Sequence, residues 1–180
     1  MLLLALKASC TRPEETPLTV TDELLQSAAS YAATFDKGDL PLPPAKQIAI
    51  VACMDARLNI YGVLGLHEGD AHVIRNAGGI VSLDVLRSLA ISQRLLGTKE
   101  IVLIHHTGCG MLTFNDAEFK AGILEETGMK PEWAANSFGD LDVDVRQSVR
   151  RIQTDPFIPI KDSVRGFVYS VVEGTLREVS

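Results

Sequence analysis

Two short clusters carry the side chains best suited to chemistry, Cys53-Met54-Asp55-Ala56-Arg57 and His105-His106-Thr107-Gly108-Cys109. Each follows directly on an apolar run, Ile48–Ala52 and Ile101–Ile104. Thiolate, imidazole and carboxylate are the groups that zinc takes, normally four to an ion. Cys53 and the pair His106-x-x-Cys109 supply two thiolates and one imidazole. Gly108 and Gly110 permit the tight backbone that brings His106 and Cys109 to the same ion within one turn. Asp55 either completes the set or stands one step back from it. Arg57 can clamp that carboxylate through paired hydrogen bonds, and Asp55 so held can orient a zinc-bound water. Three protein ligands with an open fourth position are the pattern of a catalytic zinc site. Two thiolates give zinc more charge than imidazoles do, so ionising its water needs neutral to alkaline pH.

Other readings of the same residues are weaker. Either cysteine alone would pass for an inert buried thiol, but not both with His106 and Asp55-x-Arg57 in register. Strand alternation sends His105 to the face opposite His106, which suits a structural or supporting role better than ligation. His67 and His72 have no ligand-like neighbours and are expected at a surface or interface, and Cys10 is a bystander. Gly108-Cys109-Gly110-Met111-Leu112-Thr113 begins like a dinucleotide-binding turn, but Thr113 stands where the last glycine belongs. A nucleotide-binding module is therefore a remote alternative. A thiol redox protein would be expected to carry Cys-x-x-Cys, which is absent.

The elements that must position these groups follow from the pattern. Gln47–Ala52 and Glu100–Ile104 are expected as strands buried on both faces, as in a parallel sheet. His72–Arg75 is another strand, followed by a flexible turn at Asn76–Gly79. Helices are expected from Thr21 to about Phe35 (Leu24, Leu25, Ala28, Ala32 and Phe35 on one side), over 58–64, from Ser82 or Asp84 to Leu96, from Asn115 or Asp116 to about Thr127, and from Leu141 to Ile152. Phe157 and Ile158 are expected to begin a short fourth strand, and 164–172 with 175–179 a terminal hairpin. Alternating strands and helices imply an α/β fold, a mostly parallel sheet covered on both faces. Ligands bind such sheets beyond the carboxyl ends of the strands, where strand order reverses. Residues 1–20, with Pro13 and Pro17, read as a flexible arm, and 21–180 as one domain.

Composition excludes several partners. The chain has 180 residues and a net charge of -6, with no basic stripe, which argues against nucleic acid or an anionic membrane as partner. Its cysteines number 3, too few and too odd for a disulfide framework, and fit a reducing compartment. The apolar Leu2–Leu6 is too short to span a membrane and lacks the flanks of a signal peptide. A cytoplasmic protein is expected.

Cys53-Met54-Asp55-Ala56-Arg57 and His106-Thr107-Gly108-Cys109 resemble the Cys-x-Asp-x-Arg and His-x-x-Cys motifs of the β-class carbonic anhydrases. The turn Arg75-Asn76-Ala77-Gly78 is similar to the family's segment between them. The resemblance is strong over residues 47–113, and most like a compact microbial subgroup that includes carbonyl sulfide hydrolase-like enzymes. It implies a four-stranded parallel sheet with an added antiparallel strand, Zn2+ on Cys53, His106 and Cys109, and an Asp55–Arg57 pair that gates the metal. It also implies a homodimer or dimer of dimers (a homotetramer), with the N-terminal helix wrapping onto the partner. The expected activity is reversible hydration of carbon dioxide to bicarbonate by zinc-bound hydroxide. The alternative is hydrolysis of carbonyl sulfide or carbon disulfide at the same metal. Met54, Ile80, Leu83 and Leu112 are candidates for the wall of the substrate pocket.

Overall fold

Apolar side chains at every position of Ile48–Cys53 leave that segment nowhere stable but the middle of a sheet. It forms strand β1, buried beyond its first residue. β2 (Ala71–Asn76) pairs with it on one side and β3 (Glu100–His106) on the other, both parallel. β4 (Val164–Tyr169) adds parallel to β3, and β5 (Leu176–Val179) closes the edge antiparallel to β4. The 5-stranded order is β2-β1-β3-β4-β5, the expected four parallel strands with one antiparallel addition. The computed structural model describes residues 18–179. The expected arm lies almost wholly outside them, as does Cys10.

Those residues divide between Asp39 and Leu40 into two units. The first holds α1 (Val20–Ala32), which starts at a capping box between Thr19 and Asp22 rather than at Thr21 and has no buried residue. All remaining elements belong to the second unit. A short α2 (Ile60–Leu64) is capped by Asn59 and stopped by Gly65. α3 (Leu83–Leu96) is capped by Ser82 and stopped by Gly97. α4 (Asp116–Thr127) is capped by Asn115, and α5 (Leu141–Thr154) by Asp140. No helix among the described residues is long and apolar enough to cross a membrane.

Strand alternation builds a core on each face of the sheet. Ala49, Val51, Ile101 and Leu103 pack with Val85 and Leu89 of α3 and Ile152 of α5. Ile50, Ala52 and Ile104 point the other way and pack with Leu58, Ile60, Cys53 and Cys109. α5 sits tightly on β4, where the missing side chain of Gly166 makes room for Val145 and Val149. A polar chain crosses the first core: His72 Nδ1 lies 2.7 Å from Ser92 Oγ, which lies 2.8 Å from Thr98 Oγ1. His72 is therefore half-buried and engaged, rather than simply a surface group.

The segment around Phe157 and Ile158 is not a strand. Gln93 donates to the Ile160 carbonyl at 2.8 Å and accepts from the Ile160 amide at 3.0 Å, so its side chain occupies the backbone groups a strand partner would need. Ile158 plugs the core from this loop and Phe157 faces outward. The fourth strand is β4, and it stops at Tyr169 because the Ser170–Thr175 turn begins there.

Candidate metal centre

Strand order reverses at β1, between β2 and β3, and the site forms in the crevice beyond their carboxyl ends. Pairing of Ala52 with Ile104 sets the register of the two strands. It brings Cys53, the last residue of β1, beside His106, the last of β3. Cys109 returns through the Gly108 turn, where φ is +62°. One ligand atom each from Cys53, His106 and Cys109 lie within 4.8 Å of one another, and all three residues are buried. Both thiols are free of disulfides.

The donor set fits a metal ion. The Nδ1–H of His106 donates to the Thr107 carbonyl at 3.0 Å, which fixes the tautomer and leaves Nε2 as an acceptor. That Nε2 is buried and has no hydrogen-bond partner. A buried lone pair facing two sulfurs is costly unless an electrophile takes it. Burial works against the Cys53 thiolate. The imidazole of His106, when it carries its second proton, and the amides of Asp55 and Gly78 outweigh it and hold this thiol down at about 7. Cys109 is pushed up to about 11 by burial, with the negative charge of Cys53 and Asp55 adding to the effect. A cation at the centre would relieve both costs together.

Asp55 is locked to Arg57. Its Oδ1 accepts from the Arg57 amide and Nε, both at 2.9 Å, and its Oδ2 accepts from Nη2 at 2.7 Å. These bonds hold its carboxyl far below the usual carboxylate range. Oδ2 lies 3.7 Å from His106 Nε2, so the carboxylate borders the ligand cluster while facing the guanidinium. Arg57 Nη2 also donates to the Gly108 carbonyl at 3.1 Å, which ties the Cys53 loop to the Cys109 loop.

Two further positions shape the centre. Arg75, expected from the sequence at the end of a strand and the start of a turn with no role at the site, donates to the Cys53 carbonyl at 2.9 Å and the Asp55 carbonyl at 2.7 Å. It fixes the backbone on which both side chains ride. Gly79, at φ +68°, presses so close that a Cβ there would lie 2.8 Å from the Cys53 amide nitrogen. Neither contact has a signature in sequence spacing, because each joins a side chain or glycine to backbone atoms twenty or more residues away.

A cavity of about 420 Å³ opens over the cluster, lined by Cys53, Asp55, Cys109, Met54, Met111 and Phe114 among others. Of the expected wall residues, Met54 is there, 65% exposed. Ile80 borders a neighbouring cavity and Leu112 packs into the adjoining core. Leu83 is misplaced. It is 78% exposed at the start of α3 and borders a separate groove on that helix. His105 lies on the opposite face, fully buried, with Nε2 2.6 Å from Asp144 Oδ2 and its ring stacked on Phe138 at 5.3 Å. His67 is exposed.

A carbonic anhydrase family model matches residues 48–137, a span that includes every residue of this centre. β-Carbonic anhydrase 1 of Mycobacterium tuberculosis is 60% identical over 163 residues, covering 91% of this chain and 99% of that protein. A carbon disulfide hydrolase of Acidianus is 31% identical, with 87% of each chain covered. Among solved structures, a carbonic anhydrase from Streptococcus mutans superposes with a TM-score of 0.86 at 38% identity, over 92% of this chain and all of that one. With the sheet, the Cys-His-Cys cluster and the Asp55–Arg57 clamp in place, these matches establish that the chain belongs to the β-carbonic anhydrase family.

Proposed function

We propose that this protein catalyses the reversible hydration of carbon dioxide to bicarbonate with a zinc ion held by Cys53, His106 and Cys109. The observation that carries the reading is the buried Cys-His-Cys cluster with an ionised carboxylate clamped at its border. When bound, zinc supplies the Lewis acidity that makes water nucleophilic near neutral pH.

The chain's own groups do the rest. The Thr107 carbonyl holds the His106 ring with Nε2 toward the ion. Arg57 takes three hydrogen bonds' worth of Asp55's lone pairs and leaves the free side of Oδ2 facing the cluster. From there Asp55 accepts a hydrogen bond from the attacking water and aims its lone pair at the substrate carbon. Met54, Met111 and Phe114 offer apolar walls that suit a small, linear, uncharged reactant. Bicarbonate leaves as water returns, and a proton passes to buffer.

Carbonyl sulfide or carbon disulfide hydrolysis is the competing reading. It has support in relatives called carbon disulfide hydrolases, at 31% to 36% identity against 60% for the carbonic anhydrase. Measuring kcat/KM of one zinc-loaded preparation for all three substrates separates them. Strong preference for carbon dioxide is expected, and efficient sulfide release with feeble hydration would overturn the assignment. The same reading takes residues 21–180 as one functional domain of a cytoplasmic homodimer or dimer of dimers. Sedimentation equilibrium checks the assembly, and a monomer would contradict it.

A further inference from the structure

The Gly78-Gly79 turn has no side chain of its own to fasten it, yet it touches Cys53 twice. The Gly78 amide donates to the Cys53 sulfur, and Gly79 packs against the Cys53 amide nitrogen. Both glycines have positive φ, +82° and +68°, a conformation that glycine leaves as readily as it enters. The turn is therefore held from outside. Asn76 Nδ2 donates to the Ile80 carbonyl at 2.9 Å and closes its base. Phe138 covers it, so that a Cβ on Gly78 would lie 3.3 Å from Phe138 Cε1.

Phe138 is itself held from its far side. Its ring stacks on that of His105, with 5.3 Å between centroids and 30° between planes. His105 is fully buried, and its Nε2 lies 2.6 Å from Asp144 Oδ2. A carboxylate only accepts, so Nε2–H donates. Nδ1 is buried with no partner among the described residues. Asp144 is thus the polar contact that sets how the His105 ring stands, short and charge-assisted. The helix that carries Asp144 is docked by other means. Val145 and Val149 of α5 pack over Gly166, and Asp142 accepts from Arg177 at 2.7 Å.

We propose that Asp144 is a positioning residue for the metal ligand Cys53, and that through His105 and Phe138 it holds the Gly78-Gly79 turn against the thiolate. This rests on the reading of Cys53, His106 and Cys109 as metal ligands, and not on the choice of substrate. Without Asp144 the His105 ring is free to turn, Phe138 loses the face it stacks on, and the Gly78 amide leaves the sulfur. The thiolate is then less well aimed at the ion.

The metal-free protein is loaded with Co2+, whose d–d and thiolate-to-cobalt bands report the ligand arrangement with no substrate present. Zinc affinity is read beside it by competition with a chelator. Asp144→Ala should shift and weaken the bands and lower zinc affinity by about tenfold, the low end for an outer contact because two rings intervene. Asp144→Asn, whose side-chain oxygen still accepts from Nε2–H, should restore most of both. Phe138→Leu should reproduce the Asp144→Ala spectrum in a chain that keeps every polar contact of α5. Val149→Ala loosens α5 on β4 and should lower Tm with the bands unchanged. Natural bands and affinity in both Asp144→Ala and Phe138→Leu overturn the proposal, and so does a Val149→Ala variant that alters them equally. A natural chain that takes up neither metal overturns the reading of the cluster as a metal site, and the proposal with it. A natural chain that binds zinc but hydrates no carbon dioxide, with the variant spectra as expected, overturns the assigned activity alone.

Discussion

Replacing Gly79 by alanine should damage both the fold and the metal centre, by amounts that a second glycine calibrates. Gly79 has φ +68° and Gly97 has φ +72°, so alanine meets the same left-handed penalty at each, about 1–2 kcal/mol. They differ in space. A Cβ at Gly97 would meet nothing within 4 Å. At Gly79 it would lie 2.8 Å from the Cys53 nitrogen and 2.9 Å from the Ala52 carbonyl carbon, backbone atoms with no rotamer to escape into. Overpacking of that kind adds about 1–3 kcal/mol. For a chain of this size each kcal/mol lowers Tm by about 2–4 °C. Gly97→Ala should therefore lose about 2–8 °C and Gly79→Ala about 4–20 °C. Differential scanning calorimetry of the two metal-free variants reads the difference. Because the displaced atom is the amide of a ligand residue, metal affinity should fall for Gly79→Ala and hold for Gly97→Ala. Equal melting temperatures and equal metal affinities would refute the argument that Gly79 is required by close approach to β1.

Arg75→Gln removes the donors to the Cys53 and Asp55 carbonyls. It should lower metal affinity by about 10–100-fold, as loss of a supporting contact does, measured by competition with a chelator. Asp55→Asn should keep the metal but lose most hydration activity, since the amide accepts a proton poorly and no longer pairs with Arg57; full activity in a stopped-flow assay would exclude the orienting role. Asp55 itself is held so far below the carboxylate range that the charge it contributes is fully present above the unfolded value, about 3.9. It is lost only as pH falls through the lower folded value, so any loss of activity between pH 5 and 8 must come from another group. In metal-free protein on a Cys10→Ser background, thiolate absorbance should rise first near pH 7 for the Cys53–Cys109 pair and again near 11. The lowered thiol makes stability rise with pH from about 7 toward the unfolded value near 9, and the raised thiol makes it fall from there toward 11. A single step near 9, with no stability maximum there, would contradict the electrostatics of the cluster.

Long-range contacts to backbone separate what was legible in the sequence from what was not. β1 and β3 announce themselves as unbroken apolar runs, and side-chain period alone puts Cys53 and His106 at their ends and His105 on the far face. The Asp55–Arg57 clamp is legible because its partners are two residues apart and their charges are complementary. Helix ends at Ser82, Gly97 and Asn115 follow from capping chemistry. Thr19 and Thr21 offer the same capping side chain two residues apart, and only Asp22 reaching back decides for Thr19. The loop at Phe157 and Ile158 looks like a strand because a core plug and a strand share apolar composition. Its pinning by Gln93 spans 67 residues and leaves no periodic trace. Leu83 is apolar and close in sequence to the site, but the helix phase set by Ser82 turns it outward.

Hydration rate against zinc bound per chain is the most direct test of the central claim. Metal-free protein is reconstituted stepwise, and stopped-flow carbon dioxide hydration is measured beside metal content, for the natural chain and for Cys53→Ser. Activity should grow in proportion to zinc up to one ion per chain and should be absent, with the zinc, from Cys53→Ser. Hydration that ignores zinc loading, or a Cys53→Ser variant that keeps both metal and activity, would contradict it.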